Sequence, residues 1–578
     1  MNNLNDSRSK QKNIRAAIAA SALFLPLTCA SQGWATPLPQ VPSSAAPEHV
    51  EERFQPTVEP STESVTVPTP KPPVAAKGSL AQQFVLKSVV VEGSTVYTEH
   101  SFDDIFQSKI GQKITFADAH EIARAITTRY RSNGYILSQA IVSDKSLAEA
   151  KHKGVLHIRV VEGFINKITI ENQNPGADKR DLIGSYAEKI KNERPLTNAA
   201  LERYMLLIND LPGVKARAIL RPSPDTFGAA DLIIQVQNKP IEASFTSDNR
   251  GNKFLGPYQE QATVTENSVA GLGERTTLRY INTLPFSDLH YFDVQHEEQL
   301  GTEGTRMIAF ASFTKTDPGD ILRPLQFKGT SDDYSLTFTH PFLRSRAENF
   351  TGRIVFDARD TENYAEEAPI SRDRVRAIRV GGTYDTNDAW NGVDLANLML
   401  SQGVGWPGAT ENGVGRTRAV GEQEFTKGNL DVSRLQNLPH GFSLLAAGSG
   451  QYSSEPLLTS EQFTLGGVGF GQAYDSGELS GDKAIAGKLE LRYGQAVGER
   501  WFNSYQLYSY YDIGSITINK AAPGTSDSLS LASLGAGIRA NFTSNLYGYL
   551  EVGLPLTRNI ASEDNKDPRI FFSLTARY

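Results

Sequence analysis

The stretch RIFFSLTARY, residues 569–578, alternates with a period of two. Its even positions, Ile570, Phe572, Leu574, Ala576 and Tyr578, are apolar, and its odd positions, Arg569, Phe571, Ser573, Thr575 and Arg577, are largely polar. Successive side chains of a β-strand point to opposite faces, so the pattern predicts a strand with one apolar and one polar face. Chain ends fray unless something ties them down, and a strand reaching the last residue is expected to have a neighbour on each side.

The same alternation fills 239–578, where helical periodicity disappears. In DDYSLTFTH (332–340), Tyr334, Leu336 and Phe338 alternate with Ser335, Thr337 and Thr339; in GKLELRY (487–493), Leu489, Leu491 and Tyr493 alternate with Lys488, Glu490 and Arg492. A soluble sandwich also produces such segments. Two features favour lipid: charged faces lie opposite aromatic-rich ones, and many segments run near the roughly 10 residues that cross a bilayer at a tilt. An apolar sheet face with no helix to cover it needs another apolar phase. In lipid every backbone polar group must be paired, so the sheet must close on itself. Closure supplies the second neighbour for 569–578 and places Tyr578 in an interfacial aromatic girdle. At roughly 20 residues per strand and connection, this region predicts a membrane β-barrel of about 16 antiparallel strands.

The rest of the chain is organised differently. Composition is 39% hydrophobic and 21% charged with net charge −7, and no Lys/Arg-rich run suggests nucleic acid as a partner. Arg8, Lys10, Lys12 and Arg15 precede AAIAASALFLPLTCA, and GWA ends at Ala35, which reads as a secretory signal peptide over 1–35. The sole cysteine, Cys29, would leave with it, and the mature chain would suit an oxidising compartment. Residues 36–80 read as a Pro-rich linker. Within it APEHVEERFQ (46–55), with Pro47 near a first turn, can form a short helix or stay extended with its surroundings.

Two similar units follow. In 81–163, FVLKSVVVEG is a strand and SFDDIFQSKIG a short helix. TFADAHEIARAITTRYRSNG is a second helix, with Thr115 as N-cap, Asp118 three residues on, and Phe116, Ala119, Ile122, Ala123, Ile126 and Tyr130 as its apolar stripe. YILSQAIV and GVLHIRVVEG are strands. The order β-α-α-β-β recurs over 164–238, with a helix N-capped at Thr197 and stopped by Pro212.

Catalytic and metal motifs are missing. GGVGFGQAY lacks the Lys-Ser/Thr and the helix that complete a P-loop. The nine histidines show no HExxH or Cys/His spacing, and no GxSxG elbow occurs. No catalytic residue, metal site or cofactor is expected.

A signal peptide, two β-α-α-β-β units and a closed barrel together resemble the outer-membrane transporters of two-partner secretion, the ShlB/FhaC/HecB-like members of the superfamily of barrels with periplasmic POTRA domains. The resemblance covers the whole mature chain. In that family a long loop carrying a Val-Arg-Gly-Tyr/Phe tetrad, shortly before Ser-Gly-Asp, folds back into the lumen. In LGGVGFGQAYDSGELSGDKAIAGKLELRY (465–493) the aligned tetrad is Gly471-Gln472-Ala473-Tyr474, ahead of Ser480-Gly481-Asp482. The family's arginine pairs with an aspartate of a Phe-x-Asp-x-Gly wall motif, which stands here as Tyr510, Asp512 and Gly514 within LYSYYDIGSI (507–516). Alternation turns these three away from the face of Leu507, Tyr511 and Ile513. Gln472 offers a neutral amide where the family has a cation. The expectation is therefore a loop docked near Asp512 but held more weakly, or a cation supplied by another base, with Lys488 and Arg492 as candidates.

The resemblance further implies that Phe572, Leu574 and Tyr578 form a C-terminal assembly signal read by the barrel-assembly machinery, with outer-membrane lipid around the barrel. It implies that 46–55 is a candidate plug helix and that the POTRA units sit in the periplasm. It implies export of a large secreted protein with an N-terminal secretion domain: a β-solenoid adhesin, haemolysin or toxin. A client strand would add to a POTRA edge, the second strand of each unit (YILSQAIVS or VKARAILRP) being the expected one. The alternative within the superfamily is a factor that assembles other outer-membrane proteins.

Overall fold

The computed structural model describes residues 42–54, 60, 81–172, 176, 178–406, 408–410 and 415–578. The expected signal peptide and most of the linker lie outside the described residues. The first described segment holds two 3-10 turns, Ser43–Ala45 and Pro47–His49, and a short helix, α1 (Val50–Phe54).

The first α/β unit differs in detail from the sequence expectation. FVLKSVVVEG divides into β1 (Gln83–Val85) and β2 (Ser88–Glu92). After the short helix α2 (Asp103–Phe106), β3 (Lys113–Thr115) pairs with β1. Helix α3 (Phe116–Ser132) is closed by a reciprocal capping box: Asp118 N donates to Thr115 Oγ1 at 3.1 Å, and Thr115 N donates to Asp118 Oδ2 at 2.8 Å. Its stripe, Ala119, Ile122, Ala123, Ile126 and Tyr130, is buried. Between β4 (Gln139–Ile141) and β5 (Val155–Val161) lies a helix the pattern did not reveal, α4 (Asp144–Lys153), N-capped by Ser143 and ended by Gly154 at φ +77. The three-stranded sheet has the order β2-β5-β4, with β2 parallel to β5.

In the second unit, β6 (Phe164–Asn172), α5 (Leu182–Asn192), α6 (Asn198–Asn209), β7 (Val214–Pro222) and β8 (Ala229–Asn238) form a sheet of order β6-β8-β7 backed by both helices. This unit is seated on turns of the barrel. Asp210 pairs with Arg344 at 2.6 Å, Arg180 with Glu298 at 2.9 Å, and Tyr186 OH accepts from Gln299 Nε2 at 3.0 Å.

The barrel closes with sixteen antiparallel strands, from β9 (Ile241–Asp248) to the C-terminal strand Arg569–Arg577. β9 lies between Tyr258–Asn267 and the C-terminal strand, in register Ser573↔Asp248 through Arg577↔Ser244. Ile570, Phe572 and Leu574 face outward and are exposed, whereas Phe571 and Thr575 face inward and are buried. Strand lengths depart from the expected ten residues, ranging from eight in β9 to twenty in Ala368–Asn387. Glu348–Ala365 and Ala368–Asn387 form the longest hairpin of the barrel, paired from Glu348↔Thr386 to Ala365↔Ala368. The lumen face carries charges in pairs, among them Arg279–Asp293 at 2.6 Å and Arg379–Asp357 at 2.6 Å. Among the described residues no helix is long and apolar enough to cross a membrane.

Candidate functional site

Two pieces of chain occupy the lumen. The larger is the loop 454–482, between strands Phe442–Ser453 and Lys483–Glu499. It contains a small hairpin, Phe463–Leu465 with Leu479–Gly481, whose tip carries Gly471-Gln472-Ala473-Tyr474. The tip needs glycine at its start: Gly466 has φ +111, and a Cβ there would stand 2.0 Å from the Asp475 carbonyl oxygen. The wall needs glycine too. A Cβ on Gly514 would lie 2.7 Å from Leu465, so its absence lets the hairpin approach the strand. Leu465, Tyr474 and Leu479 then pack with Ile516, Leu531 and Ile560.

The tip is held through its backbone. Asp512 Oδ2 accepts from Gln472 N at 3.1 Å, and Asp512 Oδ1 accepts from Ser533 Oγ at 2.6 Å; Ser533 Oγ in turn accepts from Ala473 N at 3.4 Å. The Gln472 side chain does not reach the carboxylate, and its Nε2 is buried without a hydrogen-bond partner among the described residues. Of the two cations expected from the sequence, Lys488 stands beside Asp512 on the neighbouring strand, as its register partner, whereas Arg492 lies further along the same strand and turns to Glu490 at 2.7 Å. A further cation, Arg250, holds the tip from the other side. It stands in the connection after β9 and donates from Nη1 to the Gln472 carbonyl at 2.7 Å and from Nη2 to Glu551 at 2.8 Å. Its guanidinium lies 3.8 Å over the Phe571 ring, which explains an aromatic on the inward face of the last strand. Glu551 is completed by Tyr508 OH at 2.7 Å and Tyr510 OH at 3.0 Å, so the wall tyrosine serves this carboxylate. Arg569 pairs with Asp475 at 2.8 Å. Tyr474 OH accepts from Thr557 N and Arg558 N, each at 3.3 Å.

Ser480-Gly481-Asp482 lie at the far mouth. Asp482 is fully buried and accepts from Arg418 Nη1 at 2.7 Å, Leu457 N at 2.7 Å and Asn519 N at 2.6 Å, which ties two other loops, and the start of its own, to the base of the hairpin. Gly481 passes against Ile516, and Ser480 donates to Gln462 at 3.1 Å. Glu461, unremarkable in sequence, pairs with Arg379 and Lys427, each at 2.7 Å.

The second piece is 42–54. Ala45 and Val50 are buried with Phe254, Leu255, Leu289 and Tyr291, and the Phe54 ring lies 5.6 Å from that of Tyr291. Arg359 bridges Glu51, at 3.0 Å, and Asp333; Arg279 donates to the Phe54 carbonyl at 2.6 Å; Asn252 donates to the Ser44 carbonyl at 2.7 Å. The two pieces touch where Thr464 Oγ1 donates to Glu52 at 2.9 Å. Phe572, Leu574 and Tyr578 are exposed and face away from this network; the Tyr578 backbone pairs with Ala243, its N donating to the Ala243 carbonyl at 2.9 Å. Among the described residues no group of His, Cys, Asp or Glu is arranged to hold a metal ion.

Residues 228–540 match the family described as haemolysin secretion/activation protein ShlB/FhaC/HecB, and residues 84–163 match the ShlB-type POTRA domain. The chain is 23% identical over 576 residues to the heme/hemopexin transporter protein HuxB of Haemophilus influenzae, covering 96% of this chain and 98% of that one. It is 24% identical over 421 residues to the hemolysin transporter protein ShlB of Serratia marcescens, covering 71% of this chain and 72% of that one. Among solved structures, CdiB from Escherichia coli superposes with TM-score 0.71 at 21% identity, covering 89% of this chain and 94% of that chain. CdiB from Acinetobacter baumannii gives 0.62 at 16% identity, with 90% and 95% covered.

Proposed function

The chain belongs to the haemolysin secretion/activation protein family ShlB/FhaC/HecB and is an outer-membrane transporter of two-partner secretion; from that premise we propose that it holds a closed resting pore and exports one large secreted protein that reaches the periplasm unfolded. The observation that carries the resting state is the double occupation of the lumen by 42–54 and 454–482, which touch each other and the wall. An unfolded client offers unpaired backbone. The sheet edges of the POTRA units can accept it as an added strand, with main-chain hydrogen bonds that make modest demands on sequence. No nucleotide motif is present in the sequence, so folding of the client outside, which prevents return, supplies direction. Lipid around the outward apolar face and recognition of Phe572, Leu574 and Tyr578 by the barrel-assembly machinery belong to the same proposal.

The test is deletion of 81–238 in cells, with the appearance of large secreted proteins at the cell surface and in the medium as readout. Loss of export with the barrel still inserted is expected. General failure of outer-membrane barrel assembly would instead indicate an assembly factor, and undiminished export would overturn the role given to the POTRA units.

A further inference from the structure

The outermost sheet strand of the second POTRA unit carries a row of exposed cations. Among the described residues β7 has β8 on one side and no strand on the other. Ala216 and Ala218 point into the core, while Lys215, Arg217 and Arg221 are exposed on the solvent face, with half-buried Ile219 among them. Opposite the three cations in register stand Gln237, Gln235 and Asp231. Asp231, the one carboxylate in that row, faces Arg221, while Lys215 and Arg217 face neutral amides.

The edge is shaped at both ends. Asn209, the last residue of α6, closes the first position: its Oδ1 accepts from Ala216 N at 2.9 Å and its Nδ2 donates to the Ala216 carbonyl at 3.1 Å. The main-chain groups of Ala216 therefore point away from β8, and alternation sends those of Ala218 and Leu220 the same way. Among the described residues nothing bonds them there. Pro222 ends the run, having no N–H. The start of β7 is pinned at the barrel, where Lys239 N donates to the Gly213 carbonyl at 2.8 Å and Asp210 is clamped by Arg344. Its other end leads to Phe227, 70% exposed, and to the first unit, whose Val161 lies against Gly228. The edge thus runs from the junction of the two units to the barrel. There a crevice of about 470 Å³ opens between Leu206 and Asp210 on one side and Arg306, Thr339 and Arg344 of the barrel on the other.

We propose that this edge selects the client by charge: an extended client segment with Asp or Glu at alternate positions adds to β7, sets its carboxylates over Lys215, Arg217 and Arg221, and is aimed end-on at the barrel. The proposal rests on the reading of the chain as an exporter of an unfolded partner. Alternate residues of an added strand share a face and stand opposite alternate residues of β7, so the spacing of cations and carboxylates matches. A second copy of this edge would oppose like charges, which disfavours self-pairing. A membrane surface would meet only the end nearest the barrel. Edge cations also guard sheets against adventitious pairing; a guard needs only to disfavour neutral and basic strands, whereas selection requires that acidic ones gain affinity over neutral ones.

The test uses the detergent-solubilised full chain and short fluorescent peptides alternating Val with Glu, Gln or Lys. The Glu peptide is expected to bind about tenfold more tightly than the Gln peptide, as three exposed ion pairs allow, and to weaken with salt. The combined variant Lys215→Glu/Arg217→Glu/Arg221→Glu, all on exposed positions, is expected to prefer the Lys peptide. A Glu peptide N-methylated at alternate amides should lose binding, because its charge is kept and its main-chain donors are gone. Equal affinity for the three peptides, an unchanged order in the variant, full binding of the N-methylated peptide, or capture of phosphatidylglycerol vesicles in place of any peptide would each overturn the proposal. If deletion of 81–238 stops export while the variant keeps the wild-type order of peptides, charge selection fails and the exporter reading stands; if deletion leaves export intact, the exporter reading fails first.

Discussion

The two pieces of chain in the lumen are held in different ways. The loop 454–482 is covalently continuous with the wall at both ends and is anchored by Asp482 at its base and by Asp512 and Arg250 at its tip. The segment 42–54 joins the rest of the protein through the linker that follows it, and its polar contacts run chiefly through two arginines, Arg359 and Arg279. Its apolar contacts come from few residues, Ala45, Val50 and Phe54. One piece can shift while staying attached; the other can leave without breaking a strand. A pore that must open for a client and close afterwards is well served by such a division.

The sharpest way to break the comparison is to remove the detachable piece. Deleting 42–54 is expected to convert brief, rare openings in planar bilayers into long-lived conductance severalfold larger, with the barrel's heat-modified gel mobility unchanged. The next largest effect belongs to the attached piece. Arg418→Ala leaves the Asp482 carboxylate buried without its cation, which costs about 3–5 kcal/mol; a lowered melting temperature and proteolytic nicking within 454–482 would register it. At the tip, Arg250→Ala removes the donor to the Gln472 carbonyl and strands Glu551, with an expected cost of about 2–3 kcal/mol. Adding Gln472→Arg to that variant should recover part of the loss by placing a cation beside Asp512, and absence of recovery would show that the two positions are not interchangeable. The smallest effect lies outside the barrel. Hydrogen bonds from the Thr115 amide and hydroxyl hold the Asp118 carboxyl below its usual range. The capping box is therefore at full strength above pH of about 4 and is lost as pH falls below it. Asp118→Asn should lower the stability of the first unit by about 1 kcal/mol at neutral pH and flatten its response to acid, measured by amide exchange in α3.

Much of the fold was legible because its information is local. A period of two marks every barrel strand, and Thr115 with Asp118 announces α3 from the sequence alone. Helix α4 was missed because its apolar stripe is reduced to Leu147 and Ala150, too little for a periodicity to emerge. Alternation also put Tyr510, Asp512 and Gly514 on one face, and the structure turns that face into the lumen. The lumen partners were another matter. Arg250 sits in a polar turn, Glu551 and Ser533 in ordinary strands, and Arg418 in a glycine-rich loop. Nothing near any of them in sequence indicates a partner that stands 21 residues away, as for Ser533 and Asp512, or 301, as for Arg250 and Glu551. Phe571, an aromatic on an otherwise polar face, was the one local clue, and it acquires meaning only beneath Arg250.

The sequence by itself determined the class of each region: two α/β repeats, a linker and a lipid-facing sheet that has to close, because burial of apolar faces and pairing of backbone groups are dictated by residue order and periodicity. Only the tertiary structure decided which cation holds the loop. Closure of the barrel brings β9 beside the last strand and so sets Arg250 next to Glu551, Phe571 and the Gln472 carbonyl. Charge interactions act through space over a few ångströms, and the sequence carries no ruler for that distance.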